Sequence, residues 1–121
     1  MTTATPRRAA VSRTLSRALP SLILWALLAA SPAIADPAKL ELGKRVFTAL
    51  AEPQCGVCHT LADAGTKGEV GPVLDVLKPD AARVAAAVTG GIGIMPAFED
   101  LTPEQVEAVA FYVATVTNAA K

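Results

Sequence analysis

The sequence predicts an all-α fold of three to four helices joined by long loops. Apolar residues recur every three or four positions over residues 38–51 and again over 102–116, the period of one helical face. No stretch alternates apolar and polar residues as a half-buried strand would. Glycine and proline gather between these stretches, in residues 60–79 and 90–96, where long loops are therefore expected.

Composition narrows the classes. The 121 residues allow one small domain. Eleven basic residues balance eleven acidic ones, which excludes the basic excess of a dedicated nucleic-acid binder. An apolar content of 52% excludes a disordered chain. Aromatics reach only 4% and alanine supplies much of the apolar count, so the core gains little area per residue. A chain this short then needs a staple such as a metal, a disulfide or a bound cofactor.

Residues 1–35 read as a cleaved export signal. Arg7, Arg8, Arg13 and Arg17 come with no acid in the first 20 residues. The apolar run Leu22–Ala30 follows, and Ala33-Ile34-Ala35 gives a small-residue cleavage site before Asp36. A retained membrane anchor is the alternative, but the run has nine residues, against the roughly 20 that span a bilayer. Arg7-Arg8 alone is weak ground for a twin-arginine signal, so the general secretory route is expected. Residues 36–121 then form the working domain, exported and soluble after cleavage. It keeps seven bases and all eleven acids, a net charge of −4.

The elements of that domain follow in order. Leu40, Gly43, Val46, Phe47 and Leu50 share one face of a helix over 38–51, which Pro53 ends. Residues 60–79 read as irregular loop. Residues 80–89 are strong helix formers, broken by Gly90, Gly91 and Gly93. Thr102 suits the N-cap of the last helix, Pro103 its first position, and Gln105 completes a T-x-x-Q capping box. Val106, Val109, Ala110, Val113 and Val116 form its apolar stripe, flanked by Phe111 and Tyr112.

The two cysteines and the single histidine lie together as Cys55-Gly56-Val57-Cys58-His59. C-x-x-C-H is the attachment signature of c-type haem. Two thiols at this spacing add across the two porphyrin vinyl groups, and the next residue's imidazole reaches the iron from one face. A thioredoxin-like site would need a βαβ pattern, which is missing. A structural zinc needs four closed ligands, and two cysteines and one histidine fall short. A Cys55–Cys58 disulfide would close only a tiny loop. With one histidine, the second axial ligand must be something else. Met95, in Gly93-Ile94-Met95-Pro96, is the only methionine after Met1. Its thioether is a soft, neutral donor that favours reduced iron; the alternative is that it merely fills a core gap.

On these residues the chain resembles the class I (monohaem) c-type cytochromes. Gly43 and Phe47 look like the glycine and aromatic of that family's N-terminal helix, and Tyr112 like the aromatic of its C-terminal helix. The resemblance implies that these helices cross at close contact, where Gly43 lets the backbones approach. Gly71-Pro72 resembles the family's Gly-Pro pair, which implies that the Pro72 carbonyl accepts the His59 Nδ1–H and turns Nε2 to the iron. Met95-Pro96 resembles the distal Met-Pro. Ile92, Ile94, Phe98, Leu74 and Leu77 are then expected to line the haem pocket. The stretches 52–72 and 91–98 are also similar to the small cytochrome subunit of periplasmic sulfite dehydrogenases, which takes electrons from a separate molybdenum subunit.

The function expected is a periplasmic one-electron carrier with one covalent haem c, its iron ligated by His59 and Met95. It would not itself be an enzyme, and its partners would be a redox donor and acceptor. Two alternatives stand beside it: an obligate cytochrome subunit of a larger oxidoreductase such as a molybdenum sulfite dehydrogenase, and a haem enzyme or gas sensor with an open sixth position. The net charge mildly favours partners with a neutral or basic face, although Lys39, Lys44, Arg45, Lys67 and Lys78 could border the haem edge.

Overall fold

The structure is a computed structural model that describes Met1 and residues 36–119. The expected export signal and its cleavage site lie outside the described residues, apart from Met1 and Asp36. All elements belong to the unit Ala33–Lys121.

The first helix, α1 (Pro37–Arg45), starts where Asp36 accepts hydrogen bonds from the Ala38 and Lys39 amides at 3.0 and 3.4 Å. Pro37 occupies the first turn, and Lys44 and Arg45 the last, where cations suit the helix dipole. The chain then continues into a π-helical turn, Val46–Leu50, closed by the Ala51 amide on the Val46 carbonyl at 3.1 Å. This turn corrects the expected stripe. Val46 and Phe47 are buried, but the wider turn carries Leu50 off the buried face, and it is 40% exposed.

Two single-turn helices, α2 (Cys55–Cys58) and α3 (Leu74–Leu77), lie on either side of a short hairpin. In that hairpin β1 (Thr60–Leu61) pairs antiparallel with β2 (Thr66–Lys67), Thr60 opposite Lys67 and Leu61 opposite Thr66. The loop expected over 60–79 therefore holds a small sheet and a helical turn. Counting both single turns, the described residues hold five α-helices rather than three or four.

Helix α4 (Ala81–Gly90) is capped by Asp80, which accepts from the Arg83 amide at 2.7 Å. Helix α5 (Pro103–Val116) opens with the expected capping box. The Gln105 amide donates to Thr102 Oγ1 at 3.2 Å, and the Thr102 amide to Gln105 Oε1 at 2.9 Å.

Both α1 and α4 pack on α5. Gly43 sits at the α1–α5 crossing. A Cβ there would land on the Ala108 carbonyl oxygen and the Tyr112 Cβ, and 2.8 Å from the Ala108 carbonyl carbon. The backbones approach as closely as only glycine permits. Beside it, the rings of Phe47 and Tyr112 meet edge to face, with centroids 6.2 Å apart. Val46, Leu61, Val109 and Val113 complete the most deeply buried set. At the rim Lys39 pairs with Glu107 and lies 5.2 Å from the Phe111 ring centre. Among the described residues no helix is long and apolar enough to cross a membrane.

Candidate functional site

Cys55 and Cys58 are one helical turn apart on α2, so both thiols face the same way. His59 leaves that turn in an extended conformation, φ −110° and ψ 137°, with its amide bonded to the Cys55 carbonyl at 2.9 Å. The break in helix lets the imidazole diverge from the two sulfurs while remaining on the same wall.

The segment 68–72 folds back over this turn. The Gly71 amide donates to the Cys58 carbonyl at 2.7 Å. His59 Nδ1 lies 2.8 Å from the Pro72 carbonyl oxygen. A carbonyl only accepts, so Nδ1 carries the proton and the Nε2 lone pair is left free. Gly71 lies flat against the ring: a Cβ there would come within 2.7 Å of Nδ1 and 2.9 Å of Nε2. Thr66 secures the base of the loop, with its hydroxyl on the His59 carbonyl at 2.9 Å.

Met95 comes from a separate segment, between α4 and α5. Ile92 and Met95 exchange both backbone hydrogen bonds at 3.0 Å across a two-residue turn, Gly93-Ile94. Gly93 has φ 59°, as the first central position of a type II′ turn requires. The Phe98 amide on the Val88 carbonyl, at 2.9 Å, ties this loop to α4.

These residues converge on a cavity of about 500 Å³. Cys55, Cys58, His59, Pro72 and Met95 all line it, as do all five apolar residues expected there: Leu74, Leu77, Ile92, Ile94 and Phe98. The sequence reading missed Phe47, Val84, Val109 and Val113 as lining residues, although it placed three of them on core stripes. It also missed Arg83, the lining side chain with a full charge. Lys39, Lys44, Arg45, Lys67 and Lys78 do not line the cavity. Lys39 and Lys44 are held instead by Glu107 and Asp63.

Burial pushes the Cys55 thiol up to about 11, against help from its backbone hydrogen bond. This wall disfavours a thiolate and tolerates a neutral sulfur, as in a thioether. Cys55 and Cys58 are not bonded to each other. Among the described residues no three His, Cys, Asp or Glu side chains group to hold an ion, so the zinc alternative lacks its ligands.

A second polar group lies behind the site. Tyr112 donates its hydroxyl to Asp63 Oδ2 at 2.6 Å, and Lys44 Nζ donates to the same oxygen at 3.2 Å and to the Asp63 carbonyl at 2.9 Å. The Tyr112 hydrogen bond, helped by Lys44, holds the Asp63 carboxyl below its ordinary range. Burial, then the Asp63 carboxylate, pushes the Tyr112 hydroxyl upward.

The family model described as "Cytochrome C oxidase, cbb3-type, subunit III" matches residues 38–113. Among solved structures, the c-type cytochrome SorU from Sinorhizobium meliloti is similar at 62% sequence identity. The match covers 68% of this chain and 94% of that one, with a TM-score of 0.67. No curated protein sequence matches.

Proposed function

The chain belongs to the c-type cytochromes, which carry covalently bound haem c, and from that premise we propose that it is a periplasmic one-electron carrier with its iron held between His59 and Met95. The observation that carries the reading is the convergence of Cys55, Cys58, His59 and Met95 on one apolar cavity. The residues fit the group. Two neutral sulfurs, a free imidazole Nε2 and a soft thioether line one cavity, and the remaining lining is almost wholly uncharged.

Haem, when bound, supplies the Fe(III)/Fe(II) couple. The chain's own residues set its properties. Cys55 and Cys58 anchor the porphyrin edge. His59 donates through Nε2, and the Pro72 carbonyl fixes its ring and raises its basicity. Met95 favours the lower iron charge and so raises the potential. The apolar wall excludes water. With His59 and Met95 both holding the iron, the chain would leave no open position for a substrate. This distinguishes a carrier from a haem enzyme or gas sensor.

The ferric spectrum of the holoprotein tests the ligand pair. A low-spin spectrum with a sulfur-to-iron charge-transfer band is expected. In Met95→Ala the covalent haem should remain while the band disappears, the potential falls and carbon monoxide binds. An unchanged potential and band in that variant would remove Met95 from the iron.

A more specific reading is that the carrier serves a molybdenum sulfite dehydrogenase. Its support is the similarity of residues 52–72 and 91–98 to the small cytochrome subunit of such enzymes. Co-purification with such a subunit, and faster reduction in its presence with sulfite, are the expected results. Failure of a purified dehydrogenase to reduce the cytochrome would discard this partner and leave the carrier reading standing.

A further inference from the structure

His59 is tied to other residues at three points. Its amide donates to the Cys55 carbonyl at 2.9 Å, and its ring Nδ1 to the Pro72 carbonyl at 2.8 Å. The third tie comes from Thr66, whose hydroxyl donates to the His59 carbonyl at 2.9 Å. The same hydroxyl accepts from the Leu61 amide at 3.1 Å, so it donates and accepts at once. Thr66 stands opposite Leu61 in the hairpin, and Leu61 is fully buried. The Thr66 methyl faces the turn between the cysteines. A Cβ on Gly56 would land on that methyl and 3.0 Å from the Thr66 Cβ. One side chain therefore touches the cysteine turn, the histidine backbone and the buried strand of the hairpin.

His59 ends α2 in an extended conformation, ψ 137°, which turns its carbonyl out of the helical ladder. Thr66 supplies a donor there. With the amide held by Cys55 and the carbonyl by Thr66, the Cα–Cβ bond of His59 has one direction. The Pro72 carbonyl then fixes the turn of the ring about that bond. We propose that Thr66 is a positioning residue for the iron ligand: its hydroxyl, acting through the His59 backbone, sets the plane of the imidazole relative to Cys55 and Cys58. This rests on the haem-carrier reading above, in which His59 Nε2 donates to the iron. Without the hydroxyl, the His59 carbonyl and the Leu61 amide both lose a partner. One ordinary hydrogen bond is worth about fivefold in an opening equilibrium.

The test compares the ferric holoprotein with Thr66→Val, which removes the hydroxyl and keeps the shape, and Thr66→Ser, which keeps the hydroxyl and removes the methyl. Proton magnetic resonance reads the imidazole plane, because the order and spread of the paramagnetically shifted haem methyl signals depend on axial ligand orientation. A simple loss of stability would lower the melting temperature without moving that pattern. Thr66→Val is expected to change the pattern and to speed exchange of the His59 Nδ1 proton about fivefold. Thr66→Ser should keep the original pattern. An unchanged pattern in Thr66→Val would overturn the proposal, whatever the exchange rate. So would a change in Thr66→Ser as large as that in Thr66→Val, which would mark Thr66 as packing. If either variant yields no holoprotein or loses the charge-transfer band of Met95, the decision passes to the unaltered protein. A slowly exchanging Thr66 hydroxyl proton in contact with the Leu61 amide proton is expected there, and its absence overturns the proposal. Failure of the carrier reading would look different: the unaltered protein would lack covalent haem or a reversible one-electron couple.

Discussion

His59 depends on two neighbours with no reactive group of their own. The Pro72 carbonyl fixes its tautomer, and the missing side chain at Gly71 leaves room for its ring. Gly71→Ala should therefore act on the imidazole directly. A methyl 2.7 Å from Nδ1 must push the ring away and stretch the bond to Pro72. Lower yield of holoprotein and a rise in high-spin ferric haem are expected, read from the absorption spectrum. A normal low-spin spectrum at normal yield would show that the ring has slack. At this scale much of the site was legible. Cys55, Cys58 and His59 announce themselves by residue type at short spacing, Met95 by being the remaining soft donor, and the Gly71-Pro72 pair only through the family resemblance. Arg83 and the Asp63–Tyr112 bond had no such signal. Asp63 and Tyr112 lie 49 positions apart, and a contact between distant residues leaves no local pattern.

Among the elements, the α1–α5 crossing bears most on the fold. Gly43→Ala would force a methyl into the Ala108 carbonyl and the Tyr112 side chain, both part of a buried helix. Overpacking of this kind costs about 1–3 kcal/mol. In a domain of this size that corresponds to a fall in melting temperature of very roughly 5–20 °C. Thermal unfolding of the holoprotein followed by circular dichroism measures it. A melting temperature within a degree of the original would mean that the helices slide apart at little cost. Helix α5 could be placed from its cap onward because Thr102, Pro103 and Gln105 each have one physical role at a helix start. The π turn at Val46–Leu50 could not, since it keeps the chain helical and only changes the phase of the stripe. The two-residue strands and four-residue helices are shorter than the windows over which a period becomes visible.

Across the whole molecule, Asp63 joins three parts: the hairpin that follows the cysteines, α1 through Lys44, and α5 through Tyr112. Its carboxyl is held below the ordinary range in the fold, whereas in the unfolded chain it titrates at about 3.9. Its contribution to stability is therefore full above that value and lost as pH falls through the lower, folded one. Asp63→Asn should melt below the original protein at neutral pH, and the gap should narrow as the pH falls below about 3.9. Melting curves across that range decide it, and a constant gap at every pH would assign the effect to shape rather than charge. The core of Val46, Phe47, Leu61, Val109, Tyr112 and Val113 surrounds only part of a structure that also encloses about 500 Å³. The shortage of aromatic residues is met by a cofactor that fills this space.

The clasp between α1 and α5 also reaches the cofactor cavity. Val109 and Val113 line that cavity from the same helix that Gly43 crosses. A fault at the crossing is therefore carried to the cavity wall without altering a single haem-holding residue.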